Sequence, residues 1–256
     1  MKQKFLSVFF FLCVSLIPYF MEGQEKDTSK VELNSGADIM SRYVWRGSDF
    51  GSSPSIQPTV SLTGFNFTFG VWGAFATNNF SQAQETDLFL TYTLKDKIDI
   101  TVTDYFFPNE TPGAFNNYFE YNDSLSGHIF EGTIKWKGTE ELPLSFLVAA
   151  NFYGADTRHA DGKLFYSTYM ELCYSGKCGS TSYDLFAGFT PNKPNDADKL
   201  AGVSRGFYGN TMGFVNLGLK VKKDVKISGD FTLPLSTSFI VNPMAENIFL
   251  VFGFTL

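Results

Sequence analysis

The segment Val31–Gly47 alternates between apolar and polar side chains along almost its whole length. Successive side chains of a β-strand point to opposite faces, so the alternation produces one apolar and one charged face; a helix would scatter both sets around its circumference. The run spans about sixteen residues, whereas a soluble strand usually has roughly five or six. An apolar face with aromatic residues at one end, opposite a charged face, is typical of a transmembrane β-barrel strand.

Comparable alternating runs recur to the last residue, where Ile248, Leu250 and Phe252 share one parity. Long polar connections alternate with tight turns, which is the asymmetry of outer-membrane barrels. Long connections are predicted at 48–54, 77–84, 107–127, 154–162, 190–210 and 234–245, and short ones at 64–66, 95–97, 138–142, 175–180 and 222–224. We therefore predict an all-β fold, a transmembrane antiparallel β-barrel of about 12 strands over residues 31–256, with both termini on the periplasmic side.

The composition agrees with a barrel whose outer surface meets lipid. Aromatic residues make up 17% of the chain, with 29 Phe and 12 Tyr, which is high for a soluble domain. We expect Trp45, Trp72 and Trp136 to lie in the aromatic girdles at the headgroup level. The formal net charge of -6 argues against nucleic acid as a partner.

The first residues have the organisation of a secretory signal peptide. Lys2 and Lys4 precede an apolar run over 5–21, and Gly23 provides a small residue at a cleavage site. An uncleaved membrane anchor is the alternative, but the run is short for a spanning helix of about twenty residues. We predict a signal peptide over residues 1–23 and a periplasmic segment over 24–30.

The segment Ser41–Gly47 reads S-R-Y-V-W-R-G and follows Gly36 and Asp38. This signature resembles the TorF family of Gram-negative outer-membrane proteins, which are described as porins and were formerly a conserved domain of unknown function. Beyond the signature, the resemblance is architectural and covers about residues 31–256. It implies a location in the outer membrane of a Gram-negative bacterium and passive transport, and it supplies no substrate, cofactor or catalytic residue.

Charged side chains on the inward parity are the candidate functional residues. Four residues along a strand would place Arg42 and Arg46 on one side, about 13 Å apart, as a guanidinium ladder facing carboxylates. The alternative is structural, because buried charges of opposite sign usually pair; Asp38, Glu32 or carboxylates on neighbouring strands would be the partners. The predicted pore-lining residues are Glu32, Asp38, Arg42, Arg46, Asp87, Asp99, Glu131, Lys135, Glu171, Asp184, Lys220, Lys226 and Asp230.

These patterns favour a porin-like channel for passive diffusion of small polar or ionic solutes, with outer-membrane lipid and such solutes as partners. A non-conducting structural or adhesive barrel acting through its external loops is the first alternative. A lipid-modifying barrel enzyme is the second; it would need a Ser–His pair at the rim, and we see no nucleophile motif beside His128. We predict no enzymatic activity, no catalytic residues, no cofactor and no metal site. Oligomeric state stays open.

The cysteines at one connection suggest a covalent link. Cys173 and Cys178 stand close together in C-Y-S-G-K-C, where a short loop would be bridged in an oxidising compartment. A zinc site is less favoured, since two thiols without a nearby His pair leave a tetrahedral site incomplete.

Overall fold

Twelve long strands close into one barrel in the computed structural model, which describes residues 31–78, 84–108, 117–123 and 125–256. The predicted signal peptide and periplasmic segment, 1–23 and 24–30, lie outside the described residues. Among those residues, no helix is both long and apolar enough to cross a membrane. The elements are β1 Glu32–Met40, β2 Val44–Trp45, β3 Ser48–Asp49, β4 Ser55–Gly64, β5 Phe67–Ala76, β6 Gln84–Leu94, β7 Ile98–Phe106, β8 His128–Trp136, β9 Leu144–Gly154, β10 Thr168–Cys178, β11 Thr181–Thr190, α1 Asp196–Leu200, β12 Gly213–Lys226, β13 Thr232–Asn242 and β14 Asn247–Thr255.

Antiparallel pairing runs around the whole barrel. Each strand from β4 to β14 pairs with its neighbour in sequence, and β1 pairs with both β4 and β14 and so closes the sheet. Closure satisfies the backbone of every strand without leaving an edge. The prediction of an all-β antiparallel barrel of about twelve strands is confirmed.

Opposite faces of the strands differ in burial as the alternation predicts. On β14, Leu250 is 69% exposed, whereas its neighbour Val251 is 4% exposed. Large apolar side chains on the outer face are exposed on β1, β4, β5 and β7 as well, including Leu33, Val60, Phe69 and Val102. An exposed apolar band of this kind is what a lipid-facing surface requires.

The two ends of the barrel differ in the length of their connections. The end with the segments 41–54, 77–83, 107–127, 155–167, 191–212 and 243–246 is here called the loop end, and the end with 65–66, 95–97, 137–143, 179–180 and 227–231 the turn end. The predicted alternation of long and short connections is confirmed except at 243–246, which is as short as a turn.

The first strand is shorter than predicted, because β1 ends at Met40 rather than near Gly47. The chain then leaves the wall and folds into the barrel. The alternation persists beyond Met40 since the inserted segment contains its own short strands, β2 and β3, in which side chains also alternate.

The boundaries of the last strands also differ from the prediction. The charged triplet at 222–224 is not a turn, because β12 continues through it and Lys222 faces the interior, where its Nζ lies 2.7 Å from Asp184 Oδ2. The turn lies instead at 227–231, where the amide of Ile227 donates to the Phe231 carbonyl. The predicted loop from 234 is therefore wrong, and β13 runs through Pro234.

Candidate functional site

Residues 42–50 fold into the barrel as a small hairpin, here called the lumen hairpin. β2 and β3 pair with each other and leave Arg46 and Gly47 as a two-residue turn. Both turn residues have positive φ, 48° and 79°, as a type I′ turn requires; this turn matches the right-handed twist of paired strands. At the open end, Arg42 Nη1 donates to Asp49 Oδ2 over 2.7 Å. The sequence thus specifies a hairpin that is closed at both ends.

The turn of the lumen hairpin lies directly against the barrel wall. A Cβ atom on Gly47 would stand 1.9 Å from the carbonyl oxygen of Val215 on β12, so any other residue would collide with the backbone. The side-chain amide of Asn242 on β13 donates to the Gly47 carbonyl over 3.0 Å. Glycine at this position allows the hairpin tip to dock between the two strands.

Arg46 anchors the lumen hairpin to the opposite wall. Its Nη1 and Nη2 atoms donate to Glu131 Oε2 and Oε1 over 2.5 and 2.9 Å, and Nη1 also donates to the Tyr208 hydroxyl over 2.6 Å. The guanidinium carbon lies 4.3 Å from the ring centroid of Trp45 and 4.6 Å from that of Tyr169. A planar guanidinium can pair with a carboxylate at two points and stack flat on aromatic faces, whereas a lysine ammonium acts as a point charge.

Glu131 on β8 is fully enclosed at this contact, with its side chain 1% exposed. Besides the two bonds from Arg46, it accepts hydrogen bonds from the Tyr105 hydroxyl at 3.0 Å and from Thr133 Oγ1 at 2.8 Å. Both carboxylate oxygens are therefore satisfied, as a buried charge requires.

Aromatic rings fill the space around the ion pair. Trp45 lies 5.5 Å from Tyr105 and 6.2 Å from Phe207, and Tyr208 lies 5.6 Å from Tyr169, measured between ring centroids. The residues Trp45, Arg46, Tyr105, Glu131, Tyr169 and Tyr208 are here called the constriction. These residues come from three barrel strands, β7, β8 and β10, and from two loop-end segments, 41–54 and 191–212.

The turn-end half of the interior has a different character. A cavity of about 830 Å³, here called the vestibule, is lined by lumen-facing residues of β7, β8, β9 and β10 and by the adjoining turns. Asp99 and Lys135 contribute opposite charges to its wall, and Ser145 and Ser175 contribute hydroxyls. Lys137 Nζ lies 2.8 Å from Asp99 Oδ1. The vestibule is thus polar and mixed in charge.

The wall residues of the predicted pore lining lie on the lumen parity of their strands. These are Glu32, Asp38, Asp87, Asp99, Glu131, Lys135, Glu171, Asp184, Lys220 and Lys226. Asp230 does not, because it belongs to the exposed turn at 227–231. Contact of these residues with a moving solute stays a prediction.

The predicted guanidinium ladder is wrong. Arg42 and Arg46 belong to the lumen hairpin rather than to a wall strand, and each is paired with a carboxylate, Asp49 and Glu131 respectively. Neither uses Asp38 or Glu32. The pairing alternative is therefore realised, with partners set by the hairpin.

The predicted girdle position is also wrong for two of the three tryptophans. Trp45 belongs to the constriction, and Trp72 faces the interior, where its ring lies 5.4 Å from that of Tyr43. Trp136 has the outward parity of β8, together with the exposed Ile134.

Cys173 and Cys178 do not form the suggested disulfide. Both lie on β10, and their odd separation puts them on opposite faces of the strand. Five positions in an extended strand span about 17 Å, whereas a disulfide needs Cα atoms within roughly 7 Å. A loop was predicted between the two cysteines, but strand β10 continues through both positions.

His128, the residue considered for a rim enzyme, holds a loop onto the outer face of the barrel. Its Nδ1 lies 2.7 Å from Asp104 Oδ1, and its Nε2 lies 2.7 Å from the Tyr118 carbonyl oxygen. The Tyr121 ring stacks on the imidazole at 4.5 Å. The Ser126 hydroxyl accepts from the His128 backbone amide. Both ring nitrogens thus have partners in the loop–strand contact.

His159 joins two loop-end segments in a similar way. Its Nδ1 lies 2.8 Å from Asp198 Oδ2, on α1. Burial of Asp198 disfavours its charged form, but the amides of Ala160 and Asn195 and the His159 ring outweigh burial, so the pKa of Asp198 lies below its usual range. The ionised carboxylate therefore ties the segments 155–167 and 191–212 together.

Several residues of this interior were not singled out from the sequence. Tyr208 sits in a segment predicted only as a loop, and nothing in its surroundings marks it as a lumen residue. Glu85 shares the parity of Asp87, but it directly follows the connection predicted at 77–84 and was not included in the predicted pore lining. The available sequence signal for the hairpin was the Arg46-Gly47 pair. Glycine readily adopts the positive φ that a type I′ turn requires at its second central position.

Comparisons with known proteins come from sequence and from structure. No curated protein matches the chain. The crystal structure of an outer membrane channel from Pseudomonas putida F1 is similar, with a TM-score of 0.40, 11% sequence identity, and coverage of 91% of this chain and 97% of that chain. Among the described residues, no group of three or more His, Cys, Asp or Glu side chains is placed to hold a metal ion. A family model described as "Bacterial protein of unknown function (Gcw_chp)" matches residues 24–162, more than half of the chain, and the chain therefore belongs to the Gcw_chp family.

Proposed function

We propose that the protein is an outer-membrane channel of a Gram-negative bacterium, through which small polar or ionic solutes diffuse passively. The observation that carries this proposal is a closed barrel with an exposed apolar exterior and a charged, partly hollow interior. Only closed sheets and helices can cross a bilayer without leaving backbone groups unpaired. The resemblance of the segment Ser41–Gly47 to the TorF family of outer-membrane proteins supports the same proposal.

The constriction defines the selective part of the path. On this proposal a solute in the vestibule meets Asp99 and Lys135, and its path must pass the level of the Arg46–Glu131 pair, which aromatic rings surround. Barrels of eight strands are filled by side chains and those of sixteen hold a water channel. A barrel of twelve with an inserted hairpin is therefore expected to pass only small solutes, and slowly.

A swelling assay on liposomes that contain the refolded protein tests this function. We expect shrunken vesicles to swell in small sugars or amino acids, with rates that fall steeply as solute size increases. Vesicles without protein provide the baseline, and heat-denatured protein at the same density controls for bilayer damage. A folded protein, incorporated at the same density, that gives no swelling in any small solute would contradict the proposal.

A further inference from the structure

A small cavity at the loop end lies between the lumen hairpin and the wall. Its volume is about 150 Å³, and its lining includes Tyr43 and Phe50 of the hairpin, Phe107 after β7 and Glu85 of β6. A water molecule takes about 30 Å³ in the liquid, so the space corresponds to roughly five waters. It is well below the roughly 300 Å³ at which sites for drug-sized ligands begin.

Three aromatic rings form a connected wall of this cavity. The Phe50 ring lies 5.4 Å from that of Tyr43 and stacks on that of Phe107 at 6.2 Å, between centroids. Tyr43 is held in turn against Trp72. The faces of such rings carry partial negative charge and attract cations.

Two acidic side chains lie beside the rings, and because they are in contact they share a proton and carry at most one negative charge between them. Glu85 and Asp87 are neighbours on the lumen parity of β6, are 4% and 5% exposed, and lie within hydrogen-bonding reach of each other. Glu85 Oε2 and Asp87 Oδ1 are buried without a hydrogen-bond donor among the described residues. Buried carboxylate oxygens without a partner are costly, so a cation in the cavity would be favoured.

The arginines of the lumen hairpin do not supply that cation. Arg42 is paired with Asp49 and Arg46 with Glu131. A bound metal ion would need three or more ligands of suitable type, which are not grouped anywhere among the described residues. An anion would be repelled. The combination of ring faces and one acidic side favours a positively charged group that carries apolar substituents.

We propose that this cavity binds a small organic ammonium ion, with its charge beside Glu85 and its methyl or methylene groups against the rings of Tyr43, Phe50 and Phe107. Binding needs only the folded barrel and its lumen hairpin. It does not depend on conduction, so the site and the channel function stand or fall separately.

Calorimetric titration of the refolded protein in detergent with choline tests the site. The matched ligand is 3,3-dimethylbutan-1-ol, which has the shape of choline without its charge. We expect saturable binding of choline and at least tenfold weaker binding of the alcohol. Absent binding of choline to folded protein, or equal binding of the two ligands, would overturn the proposal.

Two variants separate the charge from the rings. Glu85→Gln keeps the size of the side chain and should weaken choline binding at least tenfold, and Phe107→Leu keeps the charge and should weaken it several-fold. Asp99→Asn, in the vestibule, is the matched control and should bind choline like the wild type. The band shift between unheated and heated samples on a gel verifies folding, and Phe107→Leu carries the test if Glu85→Gln does not fold. Unchanged affinity in a folded variant of either kind would contradict the assignment.

Discussion

Removal of one charge from the constriction should loosen the lumen hairpin. In Glu131→Gln the buried Arg46 keeps its positive charge and loses a partner that accepts two of its hydrogen bonds, over 2.5 and 2.9 Å. The Arg46 side chain is 10% exposed, so water does not replace the lost contacts. Breaking a buried pair in this way costs about 3–5 kcal/mol.

That cost acts on the docking of the lumen hairpin, because Arg46 joins it to β8. Each 1.4 kcal/mol is tenfold in an equilibrium constant, so a cost of this size should weaken docking by roughly two to four orders of magnitude. The contact of Gly47 with β12 and β13 remains and keeps part of the docking energy. We expect a barrel that stays folded while the hairpin leaves the constriction far more often.

Two measurements follow this change. Single-channel recordings in a planar bilayer should show larger or longer openings in Glu131→Gln, and hydrogen exchange should show lost amide protection over residues 42–50 but not over β14. Asp161→Asn is the control, since its pair with Lys163 is exposed to solvent outside the vestibule and the constriction, and exposed pairs contribute little to stability. Wild-type currents together with wild-type protection in Glu131→Gln would refute the role of the pair.

Three further changes test separate parts of the structure. Gly47→Ala should undock the lumen hairpin, because its Cβ would stand 1.9 Å from a β12 carbonyl oxygen and φ is positive; hydrogen exchange over 42–50 would detect this, and normal protection would contradict the fit. The His159–Asp198 contact should persist above about pH 4 and be lost as pH falls through the lowered pKa of Asp198. The rate of proteolytic cleavage in the loop-end segments should therefore increase at acidic pH. In Asp198→Asn the same cleavage should occur already at neutral pH. Cys173 and Cys178 should remain thiols, so both should react with a maleimide after denaturation without reductant; a mass two hydrogens lower would show a bridge instead.

The alternation of apolar and polar residues was sufficient to predict the barrel and, for most strands, which side chains face the interior. In β14, Ile248, Leu250 and Phe252 turn outward because the period of two leaves no other arrangement with one apolar face. The same reasoning located Asp87, Asp99 and Glu171 on the inner face. Within a wall strand the two faces can be assigned from local alternation, although Trp72 shows that residue type alone does not say which face is the outer one.

The lumen hairpin could not be distinguished from a wall strand by the same criterion. A strand inserted into the interior alternates as a wall strand does, and Arg46 with Gly47 resembles a strand residue followed by a small one. The decisive contact, between Gly47 and Val215, joins residues remote in sequence. The choice of ion-pair partner could not be predicted for the same reason, because Arg46 meets Glu131 across the barrel, 85 positions away, rather than Asp38 on β1.

Charged triplets were ambiguous in another way. Lys222-Lys223-Asp224 has the composition of a tight turn, but in a barrel with a polar interior Lys222 is stabilised by Asp184 on the neighbouring strand. Composition alone does not separate a solvent-facing turn from a strand that crosses a polar lumen.

The current through single wild-type molecules in a planar bilayer tests most directly whether the barrel conducts past an inserted hairpin. Refolded protein should give small, discrete, ohmic steps, because the buried Arg46–Glu131 pair and the rings around it narrow the bore. Steps as large as those of an unobstructed twelve-stranded bore would contradict the constriction. Repeated insertion of folded protein without any current would contradict the channel itself.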